Sequence, residues 1–446
     1  MKTTKEQASL RKAFKEHIDY DELLNCTRCG FCLPSCPTYA QTGNDEVHSP
    51  RGRIALMKGV VDGLIEVTEE VKESIDLCLG CRACEPVCPS GVKFGQLLEQ
   101  AREAIYQTKK PSVKERVLRN LAFERVFPRH ERMISTVGLL RFYQQSGLQR
   151  VTRKLGILKF FPEPMETMER VLPLVPKRKE MKHRPSRIKA KGESRMNVAF
   201  FSGCLMDTMF LRINHDTTKL LQYAGCNIVV PEAQVCCGAL HGHSGEGNRA
   251  REMAKENIMA FEEAEVDYII TNAGGCGAFL VEYENLLKED PVWSKRAKAF
   301  TEKIRDITSI LVELDFHQKP LSLKNQWITY QDSCHLRNGQ RVYEDPRKLL
   351  RSIKGSHYIE MEQADQCCGS AGIYNLVQSE MAMKILDDKM KKVKYTEAKV
   401  IVTTNPGCLL QMKLGIEREG LSDHIKAIHI VELLVEAFEQ GNEQSS

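Results

Sequence analysis

Two hydrophobic rhythms divide the chain. Between residues 49 and 156, apolar positions recur every three or four residues. They do so in SPRGRIALMKGVVDGLI (49–65), VTEEVKESIDLC (67–78), Gln96 to Gln107, VKERVLRNLAFERVF (113–127) and MISTVGLLRFYQQSGLQRVTRKLG (133–156). That spacing predicts amphipathic helices. Later segments read differently. NVAFFSGC (197–204), DYIITNAGGC (267–276), QWITYQDSC (326–334) and KVIVTTNPGC (399–408) are short apolar runs rich in β-branched residues, each ending in cysteine. These predict buried strands. Helical stretches at 207–224 and 376–394 lie between them. Strands alternating with helices predict a parallel α/β sheet, which binds ligands outside the carboxyl ends of its strands.

Composition narrows the class. The chain has 446 residues, 42% hydrophobic and 28% charged, enough for several folded cores. No run of 18 apolar residues occurs, which excludes a transmembrane helix on length. The opening MKTTKEQASLRKAFKEH lacks the apolar core of an export signal, so a cytoplasmic location is expected. Seventeen cysteines in a reducing compartment point to metal binding or catalysis rather than disulfides.

Eight of them form two copies of one run. Cys26-x2-Cys29-x2-Cys32-x3-Cys36-Pro37 is followed by Cys78-x2-Cys81-x2-Cys84-x3-Cys88-Pro89. This is the bacterial ferredoxin spacing, in which three close thiolates wrap one [4Fe–4S] cube and the fourth ligates the other. It assigns Cys26, Cys29, Cys32 and Cys88 to one cluster, and Cys36, Cys78, Cys81 and Cys84 to the second. Zinc sites use CxxC pairs instead. The 41 residues between the runs carry helical patterns, so a mostly helical ferredoxin domain is expected. Arg51 and Arg53 lie between the runs. They are open to two roles: donors to cluster sulfurs, or a helix-start turn paired with acidic neighbours.

The remaining cysteines reveal an internal repeat. Cys204, Cys236-Cys237-Gly238 and Cys276 recur as Cys334, Cys367-Cys368-Gly369 and Cys408. Cys226 has no counterpart and reads as a small buried hydrophobe. Adjacent cysteines suit two metal atoms of a cluster better than one small ion. Further iron–sulfur clusters, zinc, thiol chemistry or a structural site all remain open here. The glycine after each pair is expected to let the backbone approach a bulky ligand. His241, His243 and His335 flank these motifs, as loop caps, donors to sulfur or proton carriers.

Charge is local. Residues 177–195 hold nine Lys or Arg against two Glu, a net +7 in a chain of +5. Composition favours a solvated linker over an anionic membrane patch, and no aromatic interleaving supports nucleic-acid binding. The expected class is α+β multidomain. A helical two-cluster ferredoxin domain (1–108) precedes a helical then basic Pro-containing linker (109–195) and two α/β Cys-Cys-Gly repeats (196–320 and 321–446). HGHSGEG (241–247) has the wrong glycine order for dinucleotide binding, and no P-loop is present.

Two ferredoxin runs followed by two Cys-Cys-Gly units, with SPRGRI (49–54), CCGALHGHSG (236–245), DSCHLRNGQ (332–340) and CCGSAGIYN (367–375), resemble the glycolate oxidase iron–sulfur subunit family. Anaerobic glycerol-3-phosphate dehydrogenase small subunits and heterodisulfide reductase subunits are related. The resemblance implies an electron-transfer subunit of a flavin-dependent 2-hydroxy-acid oxidase. FAD is implied on a partner subunit, not on this chain, and electrons pass towards a membrane quinone from a cytoplasmic or peripheral inner-face position. The alternative is the same relay for a glycerol-3-phosphate or D-lactate dehydrogenase, or a thiol/disulfide enzyme. Heterodisulfide reductases end each repeat in Cys-x-x-Cys; here Ala273 and Asn405 replace the first of those cysteines.

Overall fold

Ser49 starts the long helix between the two cysteine runs. Its hydroxyl accepts from Gly52 N at 3.0 Å, Pro50 occupies the first turn, and Gly63 (φ 78°) ends the helix Pro50–Asp62. The predicted 67–78 element is the helix Glu69–Asp76, capped by Thr68, and the third is Phe94–Thr108. They share one core containing Met57, Ile75, Leu97 and Ala101. A helix that the sequence reading passed over, Thr4–His17, closes it. Its Leu10, Ala13 and Phe14 form an i, i+3, i+4 stripe within an otherwise charged segment.

The structure is a computed structural model that describes residues 4–108, 112–160 and 163–445. Beyond the first core, short helices run through Val113–Arg119, a π-helical turn at Asn120–Val126, His130–Gln145 and Leu148–Lys154. Met133, Ile134 and Val137 anchor them, with Val175 and Met181, against Leu211.

Nine strands follow among the described residues, in two sheets. The first holds β1 (Arg187–Ile188), β2 (Met196–Phe200), β3 (Cys226–Val229), β4 (Tyr268–Thr271) and β5 (Ile304–Asp306), ordered β1-β3-β2-β4-β5. The second holds β6 (Ser322–Tyr330), β7 (Lys354–Ile359), β8 (Val400–Thr403) and β9 (Lys426–His429), ordered β7-β6-β8-β9. Without β1, which pairs antiparallel at an edge, both sheets are parallel and follow one order: second, first, third, fourth. The cysteine repeat is therefore also a topological repeat. The four apolar runs read from sequence lie in β2, β4, β6 and β8, the central strands. The flanking β3, β5, β7 and β9 are short or half-polar, and periodicity did not expose them. Cys226 is buried in β3, where burial pushes its thiol up to about 12.

Asp306 caps the helix Ile307–Glu313, accepting from Thr308 N at 2.8 Å. Burial pushes this carboxyl up to about 6. The folded state then holds a proton that the unfolded chain has lost, so its contribution to stability declines as pH rises from about 4 to about 6. Asp306→Asn keeps the capping oxygen. It is expected to remove this decline when chemical unfolding is compared at pH 5 and pH 7. An unchanged difference between the two pH values would reject the assignment.

Candidate functional site

The two ferredoxin-type loops share a backbone signature. In the first, Arg28 (φ 58°) and Gly30 (φ 89°) are left-handed; in the second, Gly80 (φ 66°) and Arg82 (φ 59°) occupy the same two positions. Left-handed residues between cysteines turn peptide N–H groups inward, making an anion-binding concavity. Gly80 N donates to Cys78 Sγ and Val92 N to Cys88 Sγ, both at 3.4 Å.

Cys26, Cys29, Cys32 and Cys88 line one cavity together with Cys84, walled by Ile54 and Phe94 and edged by Arg51. Cys88 thus reaches across from the second run. Cys36 of the first run in turn lies within electrostatic reach of Cys81 and Cys84. Burial first, and then Cys334, Cys78 and Cys36, pushes the Cys81 thiol well above its ordinary value. Cys84 is raised by burial and by Cys81, Cys78 and Cys36 among its neighbours. Thiolates crowded in this way need a compensating polycation.

Arg53 supplies an independent test of fit. It is fully buried, with Nε donating to Ser74 O at 2.7 Å and Nη2 to Thr38 Oγ1 at 3.1 Å. Thr38 Oγ1 lies 3.3 Å from Cys36 Sγ, and Arg53 Nη1 is buried without a partner. A buried, unmatched guanidinium N–H beside a thiol set fits an anionic cluster. Among the described residues, no group of three or more His, Cys, Asp or Glu forms a site for a single metal ion. All-thiol donor sets around a cavity, amides directed at sulfur and the orphan guanidinium all fit iron–sulfur clusters. The two arginines differ: the Arg51 side chain pairs with Glu46 at 2.5 Å and donates to Arg28 O at the edge of the first thiol cavity, while Arg53 is buried and reaches Cys36 through Thr38.

Each Cys-Cys-Gly repeat gathers its four cysteines in one chain of contacts. Cys204 meets Cys236, and Cys237 meets Cys276. Cys334 Sγ lies 4.0 Å from Cys367 Sγ, and Cys368 meets Cys408. The thiols sit beyond the carboxyl ends of β2, β4, β6 and β8. Gly238 and Gly369 both have φ +88°, a left-handed conformation that favours glycine. A Cβ on Gly369 would also stand 2.6 Å from Ala382 O, and one on Gly238 3.3 Å from the Phe279 ring.

Asn405 links the repeats. Its Nδ2 donates to Cys408 Sγ at 3.6 Å, and its Oδ1 accepts from Gly275 N at 2.9 Å, next to Cys276. The position where heterodisulfide reductases carry cysteine therefore holds a donor to sulfur. The second repeat also clamps the second ferredoxin loop. Asn338 Nδ2 donates to Cys81 O at 2.9 Å and Tyr374 OH to Leu77 O at 2.8 Å. The thiol sets thus follow one another in space, from Cys81 to Cys334 and from Cys408 past Asn405 to Cys276.

The histidines diverge. His241 Nε2 contacts Phe123 O at 2.8 Å. His243 Nδ1 contacts Glu99 Oε1 at 2.8 Å, and its ring lies 5.3 Å from that of His335. His335 Nδ1 lies 3.4 Å from Cys334 Sγ; burial pushes this imidazole down to about 3, keeping it neutral. Both His243 and His335 line a cleft that reaches Cys78 and Tyr374. Arg102, which donates to Cys78 O at 2.6 Å, is not singled out by the sequence, because a lone arginine in an amphipathic helix reads as a surface residue.

Family models match in the same order as the geometry. A 4Fe-4S dicluster domain covers residues 22–92, and a cysteine-rich domain covers 198–281 and 328–413. The glycolate oxidase iron-sulfur subunit linker region matches 114–172. A probable glycolate oxidase iron-sulfur subunit from Bacillus subtilis (strain 168) is 63% identical over 98% of this chain and 99% of its own length. The chain belongs to the glycolate oxidase iron–sulfur subunit family. The Escherichia coli (strain K12) glycolate oxidase iron-sulfur subunit is 30% identical over 88% of this chain and 90% of its own. Lactate utilization protein A from Bacillus pumilus (strain SAFR-032) is 36% identical over 54% of this chain and 99% of its own. Membership makes this an iron–sulfur subunit of oxidoreductase type with an electron-transfer role. The linker, without cysteines and least informative from sequence, is a family feature in its own right.

Proposed function

We propose that this chain relays electrons from an FAD-bearing partner that oxidises glycolate, through two [4Fe–4S] clusters, towards a membrane quinone. Cys26, Cys29, Cys32 and Cys88 hold the first cluster, and Cys36, Cys78, Cys81 and Cys84 the second. When bound, each cluster exchanges one electron at a time. The observation that carries the reading is the packing of Cys81 on the second repeat, where Asn338 donates to its carbonyl at 2.9 Å and one buried core holds Cys81, Cys334 and Cys367. Entry belongs at the first site, where Cys29 is exposed and Phe31 beside it is 65% exposed. Exit belongs at the cleft, where Cys78 is reachable by a small planar acceptor flanked by His243 and Tyr374.

The reading is tested on the anaerobically purified complex with its flavoprotein. Two cubes require about 8 iron and about 8 acid-labile sulfide per chain. Roughly 12 to 16 would place clusters in the repeats as well. Adding glycolate should reduce these clusters in the electron paramagnetic resonance spectrum. Clusters that stay oxidised while the flavin is reduced would overturn the relay. The likeness to lactate utilization protein A supports a second reading, the same relay for lactate, which predicts reduction by lactate and not by glycolate.

A further inference from the structure

The linker helices carry apolar side chains that nothing covers. Val113, Val117 and Leu121 recur every four residues, and all are more than half exposed. Leu148, Val151 and Leu155 repeat the pattern at three and four residues on the helix Leu148–Lys154, with exposures of 46%, 51% and 67%. Leu139 and Phe142 do so on His130–Gln145, at 72% and 64%. Isolated exposed apolar residues are ordinary; stripes at helical spacing on three successive helices are not.

The same segment concentrates charge. Residues 112–195 contain 21 Lys or Arg and 8 Glu, a net of +13. The whole chain is +5, so the remainder is −8. Arg116, Arg129, Arg150 and Lys154 are exposed, and none of them meets a carboxylate among the described residues. Net positive charge around exposed apolar stripes is the composition of helices that lie in a lipid interface, which combine Leu and Phe on one side with Lys and Arg around them. No helix among the described residues is long and apolar enough to cross a membrane.

We propose that the exposed stripes of these three helices dock on an anionic lipid surface, the apolar side chains entering the headgroup layer and the arginines and lysines meeting lipid phosphates. The helix Val113–Arg119 lies between this surface and the cleft. Val113 and Val117 belong to the exposed stripe, while Glu115 and Arg119, on the other side of the same helix, line the cleft wall. Docking therefore sets the cleft wall one helix diameter, ~10 Å, from the lipid surface. The docking surface itself is independent of the relay reading.

The test is co-sedimentation of the intact iron-loaded chain with vesicles of phosphatidylcholine alone and with 30% phosphatidylglycerol. Binding is expected only to the anionic vesicles and should be suppressed by 0.5 M salt. Arg150→Gln with Lys154→Gln should weaken it roughly 30-fold, at about one charge's worth of attraction each. Phe142→Ser with Leu155→Ser should weaken it at least about tenfold. Iron content and circular dichroism must match the parent in both variants, since all four positions are exposed. Absence of vesicle binding, equal binding to neutral vesicles, or variants that bind as the parent does would each overturn the proposal. So would loss of flavoprotein capture with vesicle binding intact, which would make this face a protein interface. Cluster reduction by glycolate, measured on the same preparations, reports on the relay separately.

Discussion

Serine at position 81 is expected to separate the two halves of the molecule. Cys81 is the thiol of the second ferredoxin loop that shares a buried core with Cys334 and Cys367, and its own carbonyl is held by Asn338. Replacing an outer partner of a metal ligand commonly costs 10–100-fold in metal affinity or activity. Loss of a ligand itself should exceed that. Cys81→Ser should lower quinone reduction by the complex more than about 100-fold. Reduction of a soluble dye, which can draw electrons at the exposed first loop, should fall far less. The split is the diagnostic. Equal losses in both assays would mean that the dye also draws its electrons beyond the second site and would overturn the split, and unimpaired quinone reduction would remove Cys81 from the path. Cys226→Ser, a buried cysteine outside both runs and both repeats, serves as the comparison.

Arg347 governs the largest expected loss of stability. Its guanidinium grips Asp332 with Nη1 at 2.9 Å and Nη2 at 2.7 Å, and Nη2 also reaches Glu360 at 2.7 Å. Asp332 is 1% exposed and stands two residues before Cys334. Arg347→Met would strip that buried carboxylate of its bidentate cation and leave only Arg337 at 3.4 Å; breaking a buried pair typically costs about 3–5 kcal/mol, and Arg337 should hold the loss to the lower part of that range. Arg347→Lys should recover only part, since an ammonium cannot make the bidentate pair. Removing both charges in Arg347→Met with Asp332→Leu should be milder than the single change. Unfolding in urea can be followed by Trp327 in β6 after Trp293→Phe removes the other tryptophan. A loss below about 1 kcal/mol would mean that water reaches Asp332 and that the network is peripheral.

How much of this is legible along the chain depends on the range of the interaction. The cysteine runs were readable because a cluster must be wrapped by thiolates a few residues apart, so the chemistry is written locally. The duplicated repeat was readable because four cysteines recur at offsets of 130 to 132 residues (334 − 204, 367 − 236, 408 − 276). The central strands β2, β4, β6 and β8 were readable because strands buried on both faces are continuously apolar. Their edge partners were not, since half-exposed strands mix polar and apolar residues and depend on pairing to exist. The helix Thr4–His17 was hidden for the same reason: three apolar positions suffice once other helices cover them.

Tertiary structure alone decided which polar residues matter. Arg51 and Arg53 look alike in SPRGRI, but helix geometry turns one to Glu46 at the surface and buries the other beside Cys36. Asn405 read as a missing cysteine; packing of the two repeats makes it a donor to Cys408 and an acceptor from Gly275. The succession from Cys81 to Cys334 joins residues 253 positions apart (334 − 81), and no local pattern encodes it. Spacing along the chain determined which thiols can share a cluster, because short loops limit their reach. Only the packing of separate units determined which clusters can exchange electrons, because that depends on distance through space.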